Sequence, residues 1–111
     1  MLHDGKYVVD LAKCGFYQLK IMLQPMFTDD KKLMDVALYF KDLYFKCQDG
    51  DREENFKFKY EIECRLVAIQ DEFIRRALYY EPERSRYDII TTFHKSLDRR
   101  IKQYYCTKRA A

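Results

Sequence analysis

Apolar residues recur along the chain at three- and four-residue steps in four blocks, the period of helices that turn one face to a core. The longest block runs from Asp51 to Tyr80. Ile62, Leu66, Ile69, Phe73, Ala77 and Tyr80 form one row, and Tyr60, Cys64, Val67, Ile74 and Leu78 form a second. The second row lies about 100° round the same helix. The polar positions left form a narrow band: Glu61, Arg65, Glu72 and Arg76. Glu61–Arg65 and Glu72–Arg76 stand four apart in the favourable order, each pair worth about 0.2–0.5 kcal/mol. A helix apolar on two faces needs neighbours on two sides. This one is therefore expected at the centre of the fold, with Leu66 and Phe73 on its busiest face. Asp51 with Glu54 three residues on resembles a capping box at its start. Pro82 marks its end, because a proline disfavours helical geometry in the residue before it. A competing pattern runs through Phe56, Phe58, Tyr60 and Ile62, which alternate with polar residues at the period of a strand. The cap decides for a helix over 52–80.

The other blocks are simpler. A first helix is predicted over 5–24, capped by Asp4 and ended by Pro25, with Val8, Leu11, Ala12, Gly15, Leu19, Met22 and Leu23 in its stripe. Gly15 costs about 1 kcal/mol relative to Ala inside a helix, which points to a close crossing of two helices there. A second helix is predicted over 29–47. Thr28 is its expected N-cap, and Asp29 and Asp30 complement the dipole in the first turn. Its stripe is Leu33, Val36, Ala37, Phe40, Leu43, Tyr44 and Cys47, and Leu38, Tyr39 and Phe45 fall off it. The fourth helix, 86–106, opens on Ser85 with Asp88 and carries Ile90, Phe93, Leu97, Ile101 and Tyr104 on one face. Lys95, Arg99 and Lys102 share another. Four helices on short links favour antiparallel neighbours. The expected fold is all-α: an antiparallel, up-down-up-down four-helix bundle forming a single helical domain over 1–111, with two stacked helical hairpins as the alternative.

Composition narrows the function classes. A chain of 111 residues with 48% apolar content, three Gly and two Pro is built to bury one core, not to stay disordered. No stretch approaches the roughly 20 apolar residues of a membrane helix. The start, Met-Leu-His-Asp-Gly, lacks the features of a signal peptide, which reads as an intracellular protein. Cys14, Cys47, Cys64 and Cys106 stand too far apart for a zinc knuckle or a CxxC motif and suit buried thiols. In an up-down-up-down order Cys14 matches Cys64 in height, and Cys47 matches Cys106. A disulfide in either pair would need Cα atoms within about 7 Å.

Candidate chemistry is sparse. A di-iron bundle needs Glu-x-x-His, yet neither His3 nor His94 has a Glu three residues before it. No glycine-rich phosphate loop or Gly-x-Ser-x-Gly elbow occurs. His94 borders the apolar face of its helix and fits a packed structural role. Asp71 interrupts the second row and belongs at a rim. No metal, cofactor or small-molecule substrate is indicated, and the chain reads as non-enzymatic.

Charge is uneven. From Arg75 onward ten Lys/Arg face four Asp/Glu. Arg84, Arg86, Lys95, Arg99, Arg100 and Lys102 form a basic face, interleaved with Tyr79, Tyr80, Tyr87, Tyr104 and Tyr105, a mixture that can hold phosphates and stack on bases. The pI of 8.6 stays below the value of about 9 that marks nucleic-acid binders, so a solvated helix face is the plainer account. The leading expectation is a non-enzymatic helical interaction protein, a small subunit or accessory factor of a larger protein assembly. It would meet a protein partner, or itself, through Leu38, Tyr39, Phe45, Phe56 and Phe58. The alternative is a nucleic-acid-associated protein that uses the basic C-terminal third.

Overall fold

The structure, a computed structural model, describes Leu11, residues 13–47 and residues 53–110. Among the described residues four helices follow one another: α1 (Phe16–Met22), α2 (Asp30–Lys46), α3 (Glu53–Tyr80) and α4 (Arg86–Ala110). Among the described residues there is no strand, so the alternating segment at 56–62 is helical.

Side-chain pairings give each helix its direction. Arg76, late in α3, bonds Asp30 at the start of α2 at 2.7 Å, whereas Lys59, early in α3, lies 5.9 Å from the Tyr44 ring late in α2. These two helices are antiparallel. Tyr105 donates to Asp42 at 2.7 Å and Arg100 faces Asp35 at 3.9 Å, so α4 runs parallel to α2. Arg65 reaches the carbonyl of Cys14 and Arg76 that of Leu23, so α1 runs parallel to α3. The order is up-down-up-down, a four-helix bundle.

Within it α3 packs against each of the other three helices, and α1 packs on α3. The deepest burial falls on α2. Leu33, Met34, Asp35, Val36, Ala37 and Leu38 are buried in succession, so this stretch of α2 is enclosed on all sides. On α3, Ile62 and Ile69 are the fully buried members of the first row. Leu66 and Phe73, expected on the busiest face, are half-buried, and Tyr80 is exposed. On α4 the core takes Ile89 with Phe93, Leu97 and Ile101, and Ile90 is left half-buried.

The largest departure from expectation is the first helix. The predicted 5–24 span breaks at 13–15 and resumes as seven residues, Phe16–Met22. Residues 1–10 lie outside the described residues. Gly15 is no crossing point: it is the N-cap, extended at φ −64° and ψ 162°, and a Cβ placed on it would meet nothing within 4 Å. Glycine is the poorest ordinary residue inside a helix and acceptable as an N-cap, so the chain places its break there. Thr28 is likewise not the cap of α2. Asp29 caps, its Oδ1 accepting from the Lys32 N–H at 2.8 Å. The Thr28 hydroxyl, fully buried, instead donates to the Met22 carbonyl at 2.5 Å and helps close the end of α1.

No disulfide forms among the described residues. The Cys14 carbonyl accepts from Arg65, and Cys14 lies before the N-cap of α1 and not inside a helix as expected. Cys47 is half-buried after α2, and Cys106 is exposed.

Candidate functional site

Two arginines on α3 organise the N-terminal side of the molecule. Arg65 donates to the Glu61 carbonyl at 3.1 Å and to the Cys14 carbonyl at 3.5 Å. Arg76 is more deeply placed, its side chain 10% exposed against 11% for Glu72. Its guanidinium donates to Glu72 at 3.0 Å, to Asp30 at 2.7 Å, to the Leu23 carbonyl at 2.8 Å and to the Thr28 carbonyl. The Leu23 carbonyl ends α1, where a helix leaves acceptors unsatisfied and favours a cation. Glu72 is shared, because Arg75 also donates to it at 2.9 Å. The two arginines stand eleven residues apart, three turns along one face, and together clasp the two ends of α1. Sequence reasoning placed both on a solvent-facing band. Their matching three-turn spacing is the signal that could have marked them as a pair facing one neighbour.

The expected protein-binding residues do not form one surface. Leu38 is 7% exposed and belongs to the core, because α2 is covered on more sides than one stripe requires. Tyr39 and Phe45 are half-buried against that core. Tyr39 meets Phe40 edge-on, and the Lys41 ammonium sits 5.4 Å above the Phe45 ring. Phe58 is exposed. Phe56 is helical, and its side chain lies outside the described residues.

Part of the exposed apolar surface lies elsewhere, in the first half of the second row of α3. Tyr60 is 63% and Val67 53% exposed, with half-buried Cys64 between them. A neighbouring helix was expected to cover this row, and farther along it Ile74 is buried. On α1 itself Leu19 is buried, whereas Tyr17 and Ile21, four apart, are 81% and 54% exposed. Phe16, Tyr60, Glu61, Cys64 and Arg65 line a shallow hollow of about 300 Å³ where the two helices meet.

The basic face divides. Lys95, Arg99 and Lys102 are exposed in one stripe along α4, and Arg86 is exposed at its first residue. Arg84 is engaged, with Asp88 at 2.7 Å and Thr92 at 2.9 Å. Arg100 is turned toward buried Asp35. Tyr79, Tyr80 and Tyr87 are exposed around the α3–α4 turn. Tyr104 and Tyr105 are half-buried against the core. His94 is exposed, with its ring edge-on to Phe93, and Asp71 is exposed as its rim position required.

Tyr105 locks α4 to α2. Its hydrogen bond to Asp42, then burial, then the Asp42 charge raise its pKa from 10.0 to about 12. A pKa raised in the fold gives stability that is whole below the unfolded value and is lost as pH rises through the folded one. Tyr105→Phe is therefore expected to remove part of the loss of stability between pH 10 and 12. Alkaline unfolding of the two proteins, followed with tyrosinate absorbance, measures it. Identical alkaline limbs would show that the bond does not couple to folding.

A groove of about 580 Å³ lies where the start of α2, the end of α3 and the middle of α4 diverge. Asp30, Lys31, Met34, Phe73, Arg76, Ala77, Tyr80, Ser96 and Arg100 line it. A second hollow, about 200 Å³, is lined by apolar Leu66, Val67, Phe93 and Leu97 with Lys41, Glu63, Gln70 and His94. Among the described residues no cluster of His, Cys, Asp and Glu is arranged to hold a metal ion. No helix there is long and apolar enough to cross a membrane. No family model, curated protein or solved structure matches this chain.

Proposed function

We propose that the chain is a non-enzymatic helical interaction protein, a small subunit or accessory factor of a larger protein assembly. The observation that carries this reading is a set of exposed apolar side chains, Tyr60 and Val67 in the second row of α3 and Tyr17 and Ile21 on α1. A large apolar side chain gains roughly 1.5–3 kcal/mol when it leaves water. A bundle that leaves such side chains bare has surface to give to a protein partner. The residues that would meet the partner are these four, with Phe16 in the hollow it shares with Tyr60.

The isolated chain is expected to self-associate and to bind an apolar dye in proportion to this surface. Size-exclusion chromatography with light scattering, run beside dye titration, tests it. Tyr60→Lys with Val67→Lys should abolish both behaviours and leave the helical circular dichroism intact. A wild-type chain that stays monomeric at high concentration and binds no dye would count against the proposal.

The exposed stripe of Lys95, Arg99 and Lys102 supports a second reading, association with nucleic acid. The two separate by salt. Phosphate binding weakens steeply as salt rises, and apolar association does not.

A further inference from the structure

The groove between α2, α3 and α4 holds charges in two different conditions. Arg76 is fully engaged by Glu72, Asp30 and two carbonyls. Arg100 is not. Its side chain is 38% exposed, and its ion-pair partner, Asp35, lies 3.9 Å away, beyond hydrogen-bond reach. A guanidinium presents five N–H donors in a planar fork that matches a carboxylate. Lys31, exposed in the first turn of α2, lines the same groove. Between these cations the floor is apolar, made by Met34, Phe73 and Ala77. The volume of about 580 Å³ lies inside the range of small-molecule sites, about 300–1,000 Å³.

We propose that this groove binds a small carboxylate with an apolar body. The body rests on Met34, Phe73 and Ala77, and the carboxylate is held by Arg100 with Lys31 beside it. Charge sets the class. An ammonium ligand would meet Lys31 and Arg100. A doubly charged phosphate would face Asp35 and Asp30, which already take up part of the local positive charge. A singly charged carboxylate suits what remains, and the apolar floor asks for a hydrocarbon or aromatic body instead of a polyol. This site is separate from the apolar row of α3 and stands whether or not that row meets a partner.

Dodecanoate, kept below its micelle threshold, is the probe, titrated by calorimetry into the full chain. Dodecanol and dodecyltrimethylammonium serve as its neutral and cationic counterparts. Saturable binding of dodecanoate is expected, at least about tenfold tighter than either counterpart, a difference of about 1.4 kcal/mol. Arg100→Gln should weaken it but also disturbs Asp35, so two further variants carry the test. Ala77→Phe fills the floor and leaves every charge in place, and should abolish binding. Lys31→Gln alters only an exposed side chain and should weaken dodecanoate without affecting dodecanol. Circular dichroism confirms the fold of each. Dodecanol binding as tightly as dodecanoate, Ala77→Phe binding like the wild type, or no saturable binding would each overturn the proposal.

Discussion

Replacing Arg76 by Met is expected to cost about 3–5 kcal/mol, the range for removing one partner of a buried ion pair. The variant loses bonds to Asp30 and to the Leu23 and Thr28 carbonyls, and leaves Glu72 almost enclosed beside an apolar chain. Arg75 also donates to Glu72, so part of that carboxylate's demand is still met, which favours the lower half of the range. Urea denaturation measures the loss. The double variant Arg76→Met with Glu72→Met is expected to recover part of it, because no uncompensated charge remains. A single-variant cost below about 1 kcal/mol would mean that the pair behaves as an exposed one. The clasp would then not hold α1.

The second large effect is expected at Phe93. It is essentially fully buried and lies 5.2 Å, centroid to centroid, from Phe73. Phe93→Ala removes a ring from a site walled by α3 and α4, and should cost about 3–5 kcal/mol. Phe73→Ala, half-buried and partly open to the groove, should cost less. Reversal of that order in matched denaturation curves would place the centre of packing on α3 and not at the α3–α4 seam.

These two residues show what was legible in the sequence. Phe93 stood in the apolar stripe of its helix, and the stripe led to the core. The helix ends at the α3–α4 turn were equally readable. Pro82 and Ser85 bound the α3–α4 turn, and the predicted 52–80 became Glu53–Tyr80. Arg76 was not legible in its role. Its partners Leu23, Thr28 and Asp30 lie between 46 and 53 residues away, and two of its acceptors are backbone carbonyls, which carry no sequence identity. Spacing showed the Glu72–Arg76 pair and priced it as a surface pair, because periodicity reports direction around a helix and not depth.

The burial of Leu38 was not legible for a related reason. Leu38 was assigned to solvent because a single stripe accounts for the α2 core, but α2 is enclosed on more than one side. Tyr60 and Val67 belong to a second apolar row that called for a neighbour of its own, yet both are exposed while Ile74, farther along the same row, is buried. Spacing around one helix does not say where along its length a neighbouring helix stops.

The clasp on α1 also has a consequence for the order in which the molecule is made. The contacts among α2, α3 and α4 include two pairs of helices adjacent in sequence, which can close over short connections. The Arg65 and Arg76 bonds to Cys14 and Leu23 span 51 and 53 residues, and closing long loops costs entropy before any contact is gained. On a ribosome, α1 leaves the tunnel before α3, and its seven residues are too few to hold a helix alone. Its buried face, Leu19 and Leu23, stays without a seat until Arg76 has been added. α1 therefore waits unseated while α2 and α3 are made, and a stretch exposed for that long is where a chaperone would find this chain.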